Sequence, residues 1–547
     1  GYENGGHHGR QSRPPGEVAV GAMKIPDILV LLLYLAALVF IGARMARRQT
    51  STNEYFVAGR SIPGWAMGLS LLATIITSVT FIAYPGAAYA GDWSLLVPGI
   101  MFVGVLILCG KIVVPFFRHV VSMSAYEYFG LRFGRGVRMY SSFAFGVGHF
   151  SKMGFVFYLL ALTLAAMTGW PIDHVILITA AITILYTVLG GIEAVVWTDV
   201  LQGFVLWLGI LVSLGCLLFL PPQGPHAVFY EAWSHHKMSL GSTALRLDKP
   251  TILVLAIYGF FFYLQKYTAD QTVVQRYLIA RSDRSALRGI ALGAGLCLPV
   301  WTAFMLIGSL LWSFYRLTGE KMPSSITRAD QVFPHFLVTH LAPGLGGLFV
   351  AALAGSAMSM LASDMNCLAL IGVEDFYRFA RPRSTDRERL RVGRAVVVLS
   401  GCAAAALALR LAHTQGTALS LYYTITAIVA GGLAGLFLLA FLFRGATRAG
   451  AIAGIVVSLL FTVWATLTAG RGAPWFGRFR FPWHDYMIGA IGHVVLLLVG
   501  LLFSYLWPGS RPRAPEKTLW GWLAQSHTTP ASVTMSQPHS YAGSEHS

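Results

Sequence analysis

The chain has 547 residues, 56% of them hydrophobic and 12% charged, with a mean hydropathy of +0.64. Soluble domains carry about 25% charged residues, so the composition excludes an ordinary soluble protein and points to a polytopic membrane protein. The net charge of +17 invites a nucleic-acid reading, which its placement opposes. Basic residues fall in alternate loops: Arg44, Arg47, Arg48 and Arg60, then Arg118 to Arg138, Arg276 to Arg288, Arg378 to Arg394, Arg444 and Arg448, and Arg511 to Lys517. That is the positive-inside pattern, which puts those loops in the cytoplasm. The loop with Arg471, Arg478 and Arg480 breaks it.

Residues 1–22 are polar, Gly- and His-rich and do not begin with Met. They read as a disordered leader, with Met23 a plausible start. Ile25 to Ala43 is the first apolar span. Its arginines follow rather than precede it, so it reads as a retained helix with the N-terminus outside. The stretch from Glu54 to Trp93 has the length of a span but carries Thr74, Thr77, Ser78 and Thr80 in its middle and Pro85-Gly86 beyond them. A helix that unwinds around a bound ion uses such hydroxyls and freed carbonyls. A kinked helix whose hydroxyls bond back to its own carbonyls uses them too. The residues alone leave both open.

Further spans read as 64–90, 94–117, 139–168, 172–190, 194–220, 250–268, 286–315, 345–373, 391–411, 418–443, 448–470 and 485–507. With the first, the total is about thirteen transmembrane helices in an all-α protein. An extracellular loop covers 221–249, and 510–547 reads as a disordered cytoplasmic tail. The segments 64–220 and 250–443 divide as five spans each. An odd number per unit inverts the second unit, an arrangement common in secondary transporters. The first helix with its linker (23–63) and two C-terminal helices (444–509) flank this core. Cys109, Cys216, Cys297, Cys367 and Cys402 lie in apolar runs without metal-ligand spacing and read as core residues.

Charges at membrane depth are functional candidates by default. Lys152, with His149 one turn before it, is a counter-charge for an anionic solute or a structural partner of a carboxylate. Glu193 reads as interfacial, whereas Asp199, deeper in the span, reads as a carboxylate that helps a cation leave or caps the helix. Lys266, Asp270 and Gln271 mark a gate or a salt-bridged helix end. Ser356, Ser359 and Ser363 share a helix face that also suits close packing, and Asp364 beside them needs a partner. Tyr422, Tyr423, Thr424 and Thr426 with Gly431-Gly432 suggest a hinge or an outer gate.

Four motifs, AGRSIPGWAMGLSLLAT, GGIEAVVWTDVLQ, DQTVVQRYLIA and the serine-bearing span ending in EDFY, occur in an order and spacing that resembles the sodium:solute symporter family from about Ile25 to Trp507. The resemblance implies a leucine-transporter-like fold with two inverted five-helix repeats, and solute uptake driven by sodium rather than an enzyme's chemistry. It places a sodium ion on the carbonyls of Ala73, Ile76 and Ser356 and the hydroxyl of Ser359. The family's second hydroxyl after that serine is here Met360, a poor sodium ligand. A second cation would fall to Asp199, Ser363 and Asp364, the last compensating for Met360 or carrying a proton. The solute would touch Thr77, Thr80, Lys152, Tyr258, Phe262 and Gln265. Position 99 is Gly, where sugar-binding members carry glutamate, which with Lys152 favours an organic anion. The alternatives are a proton-coupled or sugar-transporting member, or a membrane solute sensor. No obligate protein partner and no nucleic acid is expected.

Overall fold

The computed structural model describes residues 24–324, 326–413, 432–469, 479–507 and 512–528. The leader, the Tyr422 to Gly431 segment, Arg471, Arg478 and the residues after 528 lie outside the described residues.

Helix α1 (Ile25–Ala46) starts on Pro26 with Asp27 in its first turn. Asp27 is buried, and its Oδ1 accepts from the backbone N–H of Gly344 (2.8 Å) and Gly347 (2.7 Å), which anchors α1 far along the chain. A short α2 (Thr52–Val57), capped by Ser51, leads into α3 (Gly64–Ile75) and α4 (Ser78–Ala90). These two are halves of one span bent by 58°. The bend falls at Ile76 and Thr77, both in extended conformation, and not at Pro85, which sits inside α4. The β-branched run from Thr74 to Thr77 is the weak point, since such side chains crowd the preceding turn of a helix.

Helices α5 (Leu96–Val120), α6 (Glu127–Phe133) and α7 (Arg135–Thr168) follow. Helix α8 (Ile172–Phe219) runs 48 residues, about 72 Å at 1.5 Å per residue, more than twice the apolar thickness of a bilayer. It is two spans joined at Gly191, whose φ of 55° and ψ of −152° only glycine adopts readily. A Cβ there would lie 2.6 Å from the Tyr55 carbonyl oxygen. The break falls where the Gly-Gly pair separates the predicted spans.

Helix α9 (Gly224–Ser234) belongs to the predicted outer loop. Helices α10 (Ile252–Ala269) and α11 (Gln271–Ile279) are interrupted at Asp270, which is extended and caps α11 by accepting from Thr272 N. The chain continues through α12 (Asp283–Thr318), α13 (Val332–His340) and α14 (Leu345–Ile371). In the helical run containing α14, 83% of the most apolar 18-residue stretch is buried, which makes it the centre of the bundle. Then come α15 (Asp386–Ala412), α16 (Leu433–Leu442), α17 (Arg448–Thr468), α18 (Tyr486–Leu506) and α19 (Leu519–Thr528).

Among the described residues, ten helices are long and apolar enough to cross a membrane, or eleven with the bent α3–α4 pair. Helix α16 is the described end of the span predicted at 418–443. Each of the two five-span segments opens on an interrupted helix. The linker before α3 and the residues after α11 meet in a parallel bridge, Ile62 with Ala280, so the chain enters the first broken helix beside the point where it leaves the second. Helix α19 and the residues before it differ from the expected disorder. Tyr128 Oη donates to the Lys517 carbonyl (3.0 Å), Trp520 Nε1 to the Leu442 carbonyl (2.8 Å), and Trp522 packs edge-on to Phe116. Two tryptophans give this polar segment enough apolar surface to dock.

Candidate functional site: two broken helices around buried oxygens

At the α3–α4 break the backbone loses its regular pairing. Thr77 N, which would bond the Ala73 carbonyl in an unbroken helix, approaches Thr80 Oγ1 instead (3.4 Å). The Ile76 carbonyl accepts from Ser356 Oγ of α14 (2.9 Å). The structure thus brings Ile76 and Ser356 together, through the Ser356 hydroxyl rather than the carbonyl expected of it, with Ala73 buried at the end of the same helix half; such hard oxygens suit a hard monovalent cation. Among the described residues no group of three or more His, Cys, Asp or Glu could hold a metal ion, so the carbonyls and hydroxyls are the chemistry on offer.

Ser359, one turn on along α14, donates to Asp199 Oδ1 of α8. Asp199 also accepts from Ser70 of α3, and Arg276 Nη2 of α11 stands 3.3 Å from its Oδ2. The same guanidinium nitrogen donates to Thr74 Oγ1 (2.9 Å) and to Ser363 Oγ (2.7 Å). Asp199 and Arg276 are both fully buried. Of the residues expected to hold a second cation, Asp199 and Ser363 therefore meet one that the protein supplies itself, and Asp364 does not join them. The expectation that Arg276 belongs to a cytoplasmic basic loop is corrected here. It lies on α11, inside the bundle, because a buried carboxylate needs a partner. Sequence reading also passed over Ser70. The signal available for Arg276 was its place six residues after Asp270 in a stretch too polar for a lipid-facing helix.

Asp364 lies apart from the cation cluster. Its Oδ2 is 2.9 Å from Lys152 Nζ and its Oδ1 2.7 Å from His149 Nδ1, both on α7. Lys152 is thus the structural partner of a carboxylate, and its side chain remains 22% exposed, so the ammonium is still reachable. Of the expected solute contacts, Thr77 and Thr80 sit at the break. Tyr258 and Phe262 stack on each other (5.4 Å), and Tyr258 on Tyr486 of α18 (4.8 Å), so this face of α10 turns toward α18, with Gln265 half-buried on it. The aromatic wall nearer α4 is made instead by Tyr84, Trp301, Tyr263 and Phe102. Gly99 lies against it, and a Cβ there would sit 2.6 Å from Trp301 Cε3. An apolar cavity of about 750 Å³ lies elsewhere, between α1 and α8, lined by residues that include Leu32 and Phe40, both exposed.

A bundle of apolar helices with two interrupted spans, facing oxygens at the first break and a buried charge cluster at the second, is a membrane transporter and not an enzyme. Residues 55–458 match the sodium:solute symporter family, and the chain belongs to that family. The sodium/sialic acid symporter of Aliivibrio fischeri is 30% identical over 480 residues, covering 87% of this chain and 92% of the relative. That of Proteus mirabilis is 30% identical over 496 residues, covering 90% and 96%. The solved substrate-bound, outward-open structure of a Na⁺-coupled sialic acid symporter superposes with a TM-score of 0.81 at 28% identity, covering 89% of this chain and 99% of that one. The fold is therefore leucine-transporter-like, and the protein is a multi-pass secondary active transporter. It couples inward sodium flow to uptake of a small solute by alternating access.

Proposed function

We propose that the solute is an organic anion of the sialic acid kind and that one sodium ion drives each turnover. The observation carrying the sodium site is the Ile76 carbonyl facing the Ser356 hydroxyl at 2.9 Å, at the break where Thr77 N turns from the Ala73 carbonyl to Thr80 Oγ1. Ser359 completes it, since a hydroxyl that donates to Asp199 keeps its lone pairs for a cation. A single sodium is supported by Arg276, whose fixed charge meets Asp199 and Ser363 where a second cation would bind. Met360 needs no compensation in this reading.

The anion reading rests on the reachable Lys152 ammonium and on the named substrate of the two sialic acid relatives. A neutral sugar is disfavoured, because Trp301 fills the space that a glutamate at position 99 would need. The arginine-rich loops support a plasma-membrane protein with its N-terminus outside and C-terminus cytoplasmic, built on repeats 64–220 and 250–443. The test is uptake into proteoliposomes. Sialic acid should accumulate with an inward sodium gradient, with a Hill coefficient for sodium of about one. Ser356→Ala should raise the half-saturating sodium concentration about tenfold or more, the loss of one ion contact. Cooperative sodium dependence would remove the single-ion reading, and preference for glucose over sialic acid would remove the anion.

A further inference from the structure

Five ionisable groups form a continuous line across the second break. Lys266 of α10 pairs with Asp270 Oδ2, and that oxygen lies 3.3 Å from His149 Nε2 on α7. The other ring nitrogen, Nδ1, lies 2.7 Å from Asp364 Oδ1 on α14, and Lys152 closes the line on Asp364. Asp270 and Asp364 are buried, and His149 is buried and stacked on Phe145 at 3.8 Å.

Each nitrogen of one imidazole therefore faces a carboxylate. An ionised carboxylate only accepts, whereas a neutral imidazole has one N–H and one lone pair. In either neutral tautomer a lone pair would point at carboxylate oxygen inside the bundle. Only the imidazolium donates in both directions. Lys152 Nζ is also within hydrogen-bonding distance of Nδ1 (3.1 Å), but the shorter contact of Nδ1 is to Asp364 Oδ1 (2.7 Å), which an N–H satisfies and a lone pair does not. Among the described residues, these four charged groups are the ones in the line through His149. Asp199 on α8 turns to Arg276, Asp375 beyond α14 turns to Arg138, and α4, which also packs on α7, carries no charged side chain.

We propose that His149 is a proton-binding site that ties the α10–α11 break to α7 and α14, and that the proton leaves when the break moves away from those helices in the transport cycle. Asp270 is the element that senses this motion. It is the residue at which the span loses its regularity, so displacing α10 or α11 removes the Nε2 partner and leaves a neutral ring satisfied by Asp364 alone. The proposal rests on the alternating-access reading but not on the identity of the solute.

The test uses the purified full chain in weakly buffered detergent at about pH 6.5, inside the range where imidazoles change charge. Sodium chloride is added against choline chloride, and proton exchange is followed with a pH dye while thermal stability is read in parallel. The wild type should exchange up to one proton per chain, whereas His149→Gln should exchange none yet keep the sodium-induced thermal shift. In choline, the wild type should lose thermal stability relative to His149→Gln as pH rises through about 5–8, because the tied state holds the proton and the unfolded chain above that range does not. Asp270→Asn still caps α11 and should abolish the same exchange, which keeps the test usable if His149→Gln does not fold. A sodium-shifted wild type that exchanges no proton, or a His149→Gln profile matching wild type, overturns the proposal. If sodium shifts nothing in the wild type, the sodium site fails instead, and the pH–stability comparison still decides this site.

Discussion

Arg276 and Asp199 show what a single buried charge demands. Removing one member of a buried pair typically costs about 3–5 kcal/mol, because the other is left uncompensated. Arg276→Met should therefore lower the thermal unfolding temperature in detergent steeply. Adding Asp199→Asn to it should recover a large part, since neither charge then remains alone. If the double variant melts no higher than the single one, the pair is not what holds α11 against α8. Gly99 makes the complementary case for space. An alanine there meets the Trp301 ring at 2.6 Å, and overpacking of that kind costs about 1–3 kcal/mol. Gly99→Ala should show it as reduced thermal stability, with partial recovery when Trp301→Phe makes room.

Among the elements, two interruptions organise the molecule, and neither is where a breaker residue stands. Pro85 lies within α4, and its carbonyl packs so close to α12 that a Cβ on Gly308 would lie 2.2 Å from it. The break is eight or nine residues earlier, at Ile76 and Thr77. Pro85→Ala should therefore leave the half-saturating sodium concentration unchanged while Ser356→Ala raises it. Equal effects on sodium-dependent uptake would place the ion site at the proline. Gly191 is the opposite case, a turn that no other residue makes without strain. Gly191→Ala combines a positive φ with the Tyr55 carbonyl 2.6 Å away, and should cost about 2 kcal/mol or more. Weak expression and a lowered unfolding temperature would report it.

For the whole molecule, the C-terminal residues fasten the bundle. Arg132 is fully buried and donates to the carbonyls of Ala440, Phe443 and Arg513, joining α6 to α16 and to the segment before α19. Trp522 lies over Phe116 and His119. Trp522→Ala should lower stability by about 2 kcal/mol and open residues 512–528 to limited proteolysis. An unaltered digestion pattern would show that the segment's docking depends on other contacts.

The sequence by itself determined that this chain is a polytopic helical membrane protein. Nearly every span could be read from runs of apolar residues, because a bilayer demands about 20 of them in succession. It also marked the stretches where hydroxyls and carboxylates at membrane depth require an explanation. The motifs in order were enough to name the family. Partners were another matter. Lys152 could be given a solute or a carboxylate, and Asp364 a cation or a proton. Arg276 could be assigned to a loop by its charge alone. Only the tertiary structure decided these, by setting Lys152 and His149 of α7 against Asp364 of α14, and Arg276 of α11 against Asp199 of α8. The reason is physical: hydropathy is a property of each segment against lipid, whereas the fate of a buried charge depends on which atoms, hundreds of residues away in sequence, arrive within 3 Å or so of it.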